Sequence, residues 1–151
     1  MDNQVTIDVL NTLIETCNDG ERGFRNVAEH VHSDDLKTLF ANRANECRQA
    51  CSDLRSQVLQ LGGDPETGGS ASGALQRGWV SLLGTLSGYS DKSLLEACEK
   101  GEDSAMERYR DALDEALPDD VRMLVERQYE GVKRNHAQVR SLRDQARAAQ
   151  V

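Results

Sequence analysis

Cys98-Glu99-Lys100-Gly101-Glu102-Asp103-Ser104-Ala105-Met106-Glu107-Arg108-Tyr109 is the stretch that decides the fold. Leu95, Cys98, Met106, Tyr109 and Leu113 recur through it at helical spacing, and Glu102 falls on the same apolar stripe. A carboxylate on a face bound for the core needs a partner, because an unpaired buried charge is expensive. The remaining helices should therefore bring polar groups to the same depth.

Working outward, this third helix (C) starts near Ser90-Asp91, or at the capping box Ser93-x-x-Glu96, and runs over about 91–116. Leu117-Pro118-Asp119-Asp120 ends it and starts the fourth helix (D), about 119–149, with acidic residues suited to a helix N-terminus. Helix D carries Val121, Leu124, Val125, Tyr129, Val132, His136, Val139 and Leu142 inward, and its basic tail, Arg140, Arg143 and Arg147, suits a C-terminus. Toward the N-terminus, Leu75, Trp79, Leu82, Leu83 and Leu86 predict a short amphipathic helix over about 72–87. Its stripe suits packing on its own bundle. Gly62-Gly63-Asp64-Pro65 before it stops a second helix (B), about 34–61. His32-Ser33-Asp34-Asp35 joins that helix to a first one (A), about 5–31.

So short a turn makes A and B antiparallel neighbours. The long B–C connection suits a crossover along the bundle. The expected fold is all-α: a ferritin-like four-helix bundle of two antiparallel hairpins with an extra helix in the crossover, forming one domain over residues 1–151.

Bulk composition narrows the function classes. With 18 Lys+Arg against 26 Asp+Glu the net charge is −8, so nucleic acid and anionic membrane are poor partners. A secretory leader and a membrane-length apolar run are both lacking, which reads as cytoplasmic. Cys17, Cys47, Cys51 and Cys98 show no CxxC pair. Soft thiolates in a bundle core could gather copper(I), but small buried hydrophobes are the simpler reading.

Counted from the turns near 33 and 118, Glu21, Glu46, Glu102 and His136 fall within about one helical turn of a common layer. Bundle-core metal pairs use a Glu from each of two helices and Glu-x-x-His from the other two. Here helix A offers Glu21, flanked by Gly20 and Gly23, which let a neighbouring element approach closely. Helix C offers Glu102, with Glu99 one turn earlier. Helix B reads Glu46-Cys47-Arg48-Gln49 and helix D Lys133-Arg134-Asn135-His136, with Gln and Lys where His and Glu belong. Three Glu and one His could hold one iron or manganese ion, and Lys133 would oppose it. The competing reading is a buried polar network, since Arg43 precedes Glu46 and Lys133 precedes His136 by three residues. No cofactor is required by the sequence.

The stretches DVLNTLIETCNDGERGF (8–24), GALQRGW (73–79), ACEKGEDSAMERY (97–109) and ERQYEGVKRNH (126–136) resemble a bacterial family of ferritin-like four-helix-bundle proteins of unknown function. The resemblance covers nearly the whole chain. It implies the ferritin-like fold and a link to stress physiology, with no catalytic residue to carry over. The expectation is a non-catalytic, self-associating bundle with a vestigial polar core site. The alternative is a metal-binding oxidase or metal store.

Overall fold

The computed structural model describes residues 3–66 and 88–149. Four helices make up almost all of that: α1 Gln4–His30, α2 Asp34–Gln60, α3 Asp91–Leu113 and α4 Asp119–Ala148. No strand occurs among the described residues, and the molecule is an all-α four-helix bundle. The helix expected over about 72–87, with Trp79, lies outside the described residues.

Local chemistry sets the ends. Ser33 caps α2 by accepting from the Leu36 N–H at 3.3 Å, and Ser90 caps α3 by accepting from Ser93 N–H at 3.1 Å. The first of the two starts read for helix C is therefore the one used. At the other end of α2 the chain turns through Gly62, whose φ of +81° favours glycine, and the Gly63 N–H bonds the Val58 carbonyl at 3.0 Å. Helix α3 stops at Leu113, short of 116. The Arg122 side chain reaches back from α4 to the Leu113 and Glu115 carbonyls at 3.0 and 2.6 Å, and Leu117 is buried beneath the turn. Side-chain bonds replace the last helical ones there.

Helix α1 is the shared element, packed against α2 and α3, while α3 packs against α4. Two apolar clusters form the core. Leu10, Leu13, Ile14, Leu54, Val58 and Val125 lead one of them, and Phe24, Val27, Phe40, Leu94 and Val139 the other. Burying each such side chain contributes about 1.5–3 kcal/mol. Phe24 and Phe40 stack with centroids 5.8 Å apart. Between the clusters the helices present residues 18–23, 45–46, 99–104 and 133–138, and there the core turns polar. No described helix is long and apolar enough to cross a membrane.

Asp91 ties the two hairpins together at one end. Its carboxylate accepts from the backbone N–H groups of His32 and Ser33 at 2.8 and 3.1 Å, and the His32 ring lies 3.1 Å away. Burial works to raise its pKa, but these bonds outweigh it and hold the carboxyl below its ordinary range.

Candidate core site

Small side chains let α1 and α2 meet closely at the polar layer. A Cβ on Gly20 would stand 2.9 Å from the Cys47 Sγ, so the glycine read as a close-approach position is one. Glu21 lies one step round the helix, held by Arg25 at 3.1 Å and partly exposed. Its partner belongs to its own helix, which leaves it at the rim of the layer.

Arg43 supplies the positive charge of the layer and is 6% exposed. Its guanidinium donates to Glu46 Oε2 at 3.4 Å and to Gln138 Oε1 on α4. Glu46 also accepts from Asn135 at 3.2 Å, so α2 and α4 are joined through one carboxylate. Arg43 Nε finds no hydrogen-bond partner. Gln49, at the position where a metal pair would need His, bonds Asp53 on the surface of α2 at 3.0 Å. Lys133 was expected to press on the layer. It instead pairs with Glu130 at 2.8 Å and lies over the Tyr129 ring at 4.7 Å, because the i,i+3 partner on its own helix is nearer.

Glu102 is a buried carboxylate of the layer, 3% exposed, and its Oε1 accepts no hydrogen bond. Burial pushes its pKa up to about 8; Arg43 pulls it down, while Asp103, Glu99 and Glu46 add to the rise. It lines a partly open cavity of about 280 Å³ to which all four helices contribute. Cys17 and Phe24 of α1, Ala105 and Tyr109 of α3, and Leu124 and Val132 of α4 give that cavity apolar walls. The exposed Glu46, Gln49 and Arg127 mark its mouth between α2 and α4.

His136 turns to Asp103 instead, with Nε2 against Oδ1 at 2.5 Å. Among the described residues Glu99, Asp103 and His136 each offer a ligand atom, and these three atoms lie within 4.8 Å of one another. Glu21, Glu46 and Glu102 belong to no such group. Of the expected ligands the structure thus joins His136 with Glu99 and adds Asp103, which the sequence reading missed. The available signal was the Glu99-to-Asp103 spacing of four, one helix face. Glu99 is bound from α4 by Arg143, and Arg147 bonds Glu96 at 3.2 Å. The basic tail of α4 therefore serves ion pairs across to α3.

Three thiols beside the layer, Cys47, Cys51 and Cys98, are held in protonated form. Burial raises the Cys47 pKa, and Cys51, Glu102, Glu46 and Glu21 raise it further, so the three expected glutamates lie in electrostatic reach of one sulfur. A hydrogen bond with Cys17 raises that of Cys51, as does burial. Cys98 is raised by burial and by Glu102. Tyr109 donates to Gln128 Oε1 at 2.8 Å, with the Cys17 Sγ at 3.3 Å.

A bundle-core metal pair does not fit these residues, since Gln49 and Lys133 face outward and Arg43 already brings a buried positive charge to the layer. A single hard or borderline ion fits Glu99, Asp103 and His136, an oxygen, oxygen and nitrogen donor set.

Residues 5–115 match the family model described as a domain of unknown function, DUF2383, and the chain belongs to that family. No curated protein matches the chain. Among solved structures, the fold is similar to that of a dodecameric thioferritin, the bacterioferritin-related protein from Bacteroides fragilis. The TM-score is 0.79 at 18% identity over 99% of this chain and 91% of that one. The architecture is ferritin-like.

Proposed function

We propose that this DUF2383 protein is a non-catalytic, stress-associated, self-associating bundle of the cytoplasm. Its polar core fixes how the helices meet and performs no turnover. The observation that carries this is Arg43, a buried guanidinium held by Glu46 and Gln138 where a catalytic bundle would carry metal. A buried charge satisfied by groups on two helices favours one register over its neighbours. Self-association is supported by the dodecameric state of the structural neighbour, and the stress link by the family resemblance. Oxygen consumption with ferrous iron, and peroxide decay, test the reading. No acceleration over buffer is expected. Turnover lost in Glu102→Ala would overturn it.

A second reading has its own support. Glu99, Asp103 and His136 are spaced to hold one manganese or iron ion, and such an ion would supply Lewis acidity or a redox couple at the α3–α4 surface. The residues themselves would bind and orient it, with Arg143 fixing the Glu99 carboxylate. Titration with manganese(II), followed by loss of its free EPR signal, tests this. Saturable binding at one ion per chain, abolished in His136→Ala, is the supporting result, and equal binding by both proteins is the contrary one.

A further inference from the structure

The cavity beside Glu102 shares Glu46 and Asn135 with the Arg43 network and no residue with the Glu99–Asp103–His136 group. Its chemistry is unusual for a protein interior. The carboxylate is almost wholly buried and one oxygen is without a hydrogen-bond partner. A buried acceptor left unmade costs about 1–3 kcal/mol, and a charged one more. The space it borders is about 280 Å³, near the lower end of the size of ligand pockets. Cys17, Phe24, Ala105, Tyr109, Leu124 and Val132 give it apolar walls. Apolar walls around a buried acceptor whose Oε1 is without a partner suit an occupant with a hydrocarbon body and a donor head.

Charge decides the head. Glu46 and Asp53 line the cavity against one cationic side chain, Arg127, and a cation beside Glu102 would draw that carboxyl into its ionised form, so the chamber favours a cation over an anion. A metal ion is disfavoured, because the three donor atoms that lie within 4.8 Å of one another are those of Glu99, Asp103 and His136. An alkylammonium group needs less: one strong acceptor for a charge-assisted bond and apolar surface for its chain.

We propose that this cavity binds a small organic ammonium ion, with Glu102 accepting from the nitrogen and the walls from α1, α3 and α4 enclosing the hydrocarbon part. The mouth between α2 and α4 is the entry. The proposal goes beyond the structural reading of the polar core, because Arg43 and its partners are left in place.

The test is titration of the full-length protein with benzylamine and with its neutral analogue benzyl alcohol, read by calorimetry and by amide shifts of Gly20, Ala105 and Gly131, which line the cavity. Benzylamine should bind saturably and move those amides, with benzyl alcohol at least tenfold weaker. Glu102→Gln, nearly isosteric, should weaken benzylamine at least tenfold while changing benzyl alcohol little. Ala105→Met, which fills the chamber without touching charge, should abolish both. Benzylamine binding that is equal in wild type and Glu102→Gln, or shifts confined to the outer surface, would overturn the proposal, as would no binding at all. Oxygen-consumption assays stay independent of these outcomes, so this site and the non-catalytic reading fail separately.

Discussion

Arg43 and Glu102 attract each other across the core without forming a hydrogen bond: Arg43 Nε and Glu102 Oε1 are both buried, and both are without a partner. Arg43 instead spends its other nitrogens on Glu46 and Gln138. The layer is thus split into a satisfied half, the Arg43 terminal nitrogens with Glu46 and Gln138, which joins α2 to α4, and an unsatisfied one, Arg43 Nε and Glu102 Oε1.

Removing the guanidinium should loosen the satisfied half and leave Glu102 harder to ionise. Arg43→Met keeps the volume but loses the bonds to Glu46 and Gln138, for an expected loss of about 1–3 kcal/mol in urea unfolding. The Glu102 pKa should climb above about 8, since Arg43 is the neighbour that lowers it. A carboxyl titration followed by infrared spectroscopy reads that shift. An unmoved pKa would mean the two charges do not communicate.

Glu102 also makes stability depend on pH. Its folded pKa of about 8 lies above the ordinary 4.5, so between those values the folded state holds a proton that the unfolded state has released. The contribution is full below pH 4.5 and is lost as pH rises toward 8, on the order of 5 kcal/mol in all. Glu102→Gln should flatten this slope and be more stable than wild type at pH 8. Parallel pH profiles for the two proteins would refute it.

Asp91 acts in the opposite sense. Its carboxyl sits below 3.8 because His32 and Ser33 donate to the charged form, so its contribution is present above that range and lost as pH falls through it. Asp91→Ala should cost about 1–2 kcal/mol at pH 7, and the difference should fade as acid protonates the wild-type carboxyl. An equal loss in acid would indicate packing instead.

At Gly20 two effects compete. Alanine gains roughly 1 kcal/mol of helix propensity. Its Cβ, however, would lie 2.9 Å from Cys47 Sγ, and overpacking typically costs 1–3 kcal/mol. Gly20→Ala should therefore destabilise the wild type, and stabilise a Cys47→Ala background where the sulfur is gone. No change of sign between backgrounds would count against the close contact.

The sequence made some of this legible and not the rest, for a geometric reason. Helix type, the Ser33 and Ser90 caps and the inward position of Glu102 follow from local spacing, as does Arg43 beside Glu46 three residues on. Contacts between helices depend on rotation, and one residue turns a side chain by about 100° round the axis. His136 was therefore legible as inward, but its partner Asp103 was not. Arg143 likewise looked like a helix-end cation, although it binds Glu99 across the α3–α4 interface. Lys133 sits on the expected helix and faces the other way.

The most direct test of a core held by Arg43 instead of a metal pair is elemental analysis after growth with supplementary iron and manganese. Wild type should carry at most one ion per chain, released by His136→Ala and retained by Glu46→Ala, whose carboxylate bonds Arg43 and Asn135. Two ions per chain, lost in Glu46→Ala, would contradict it.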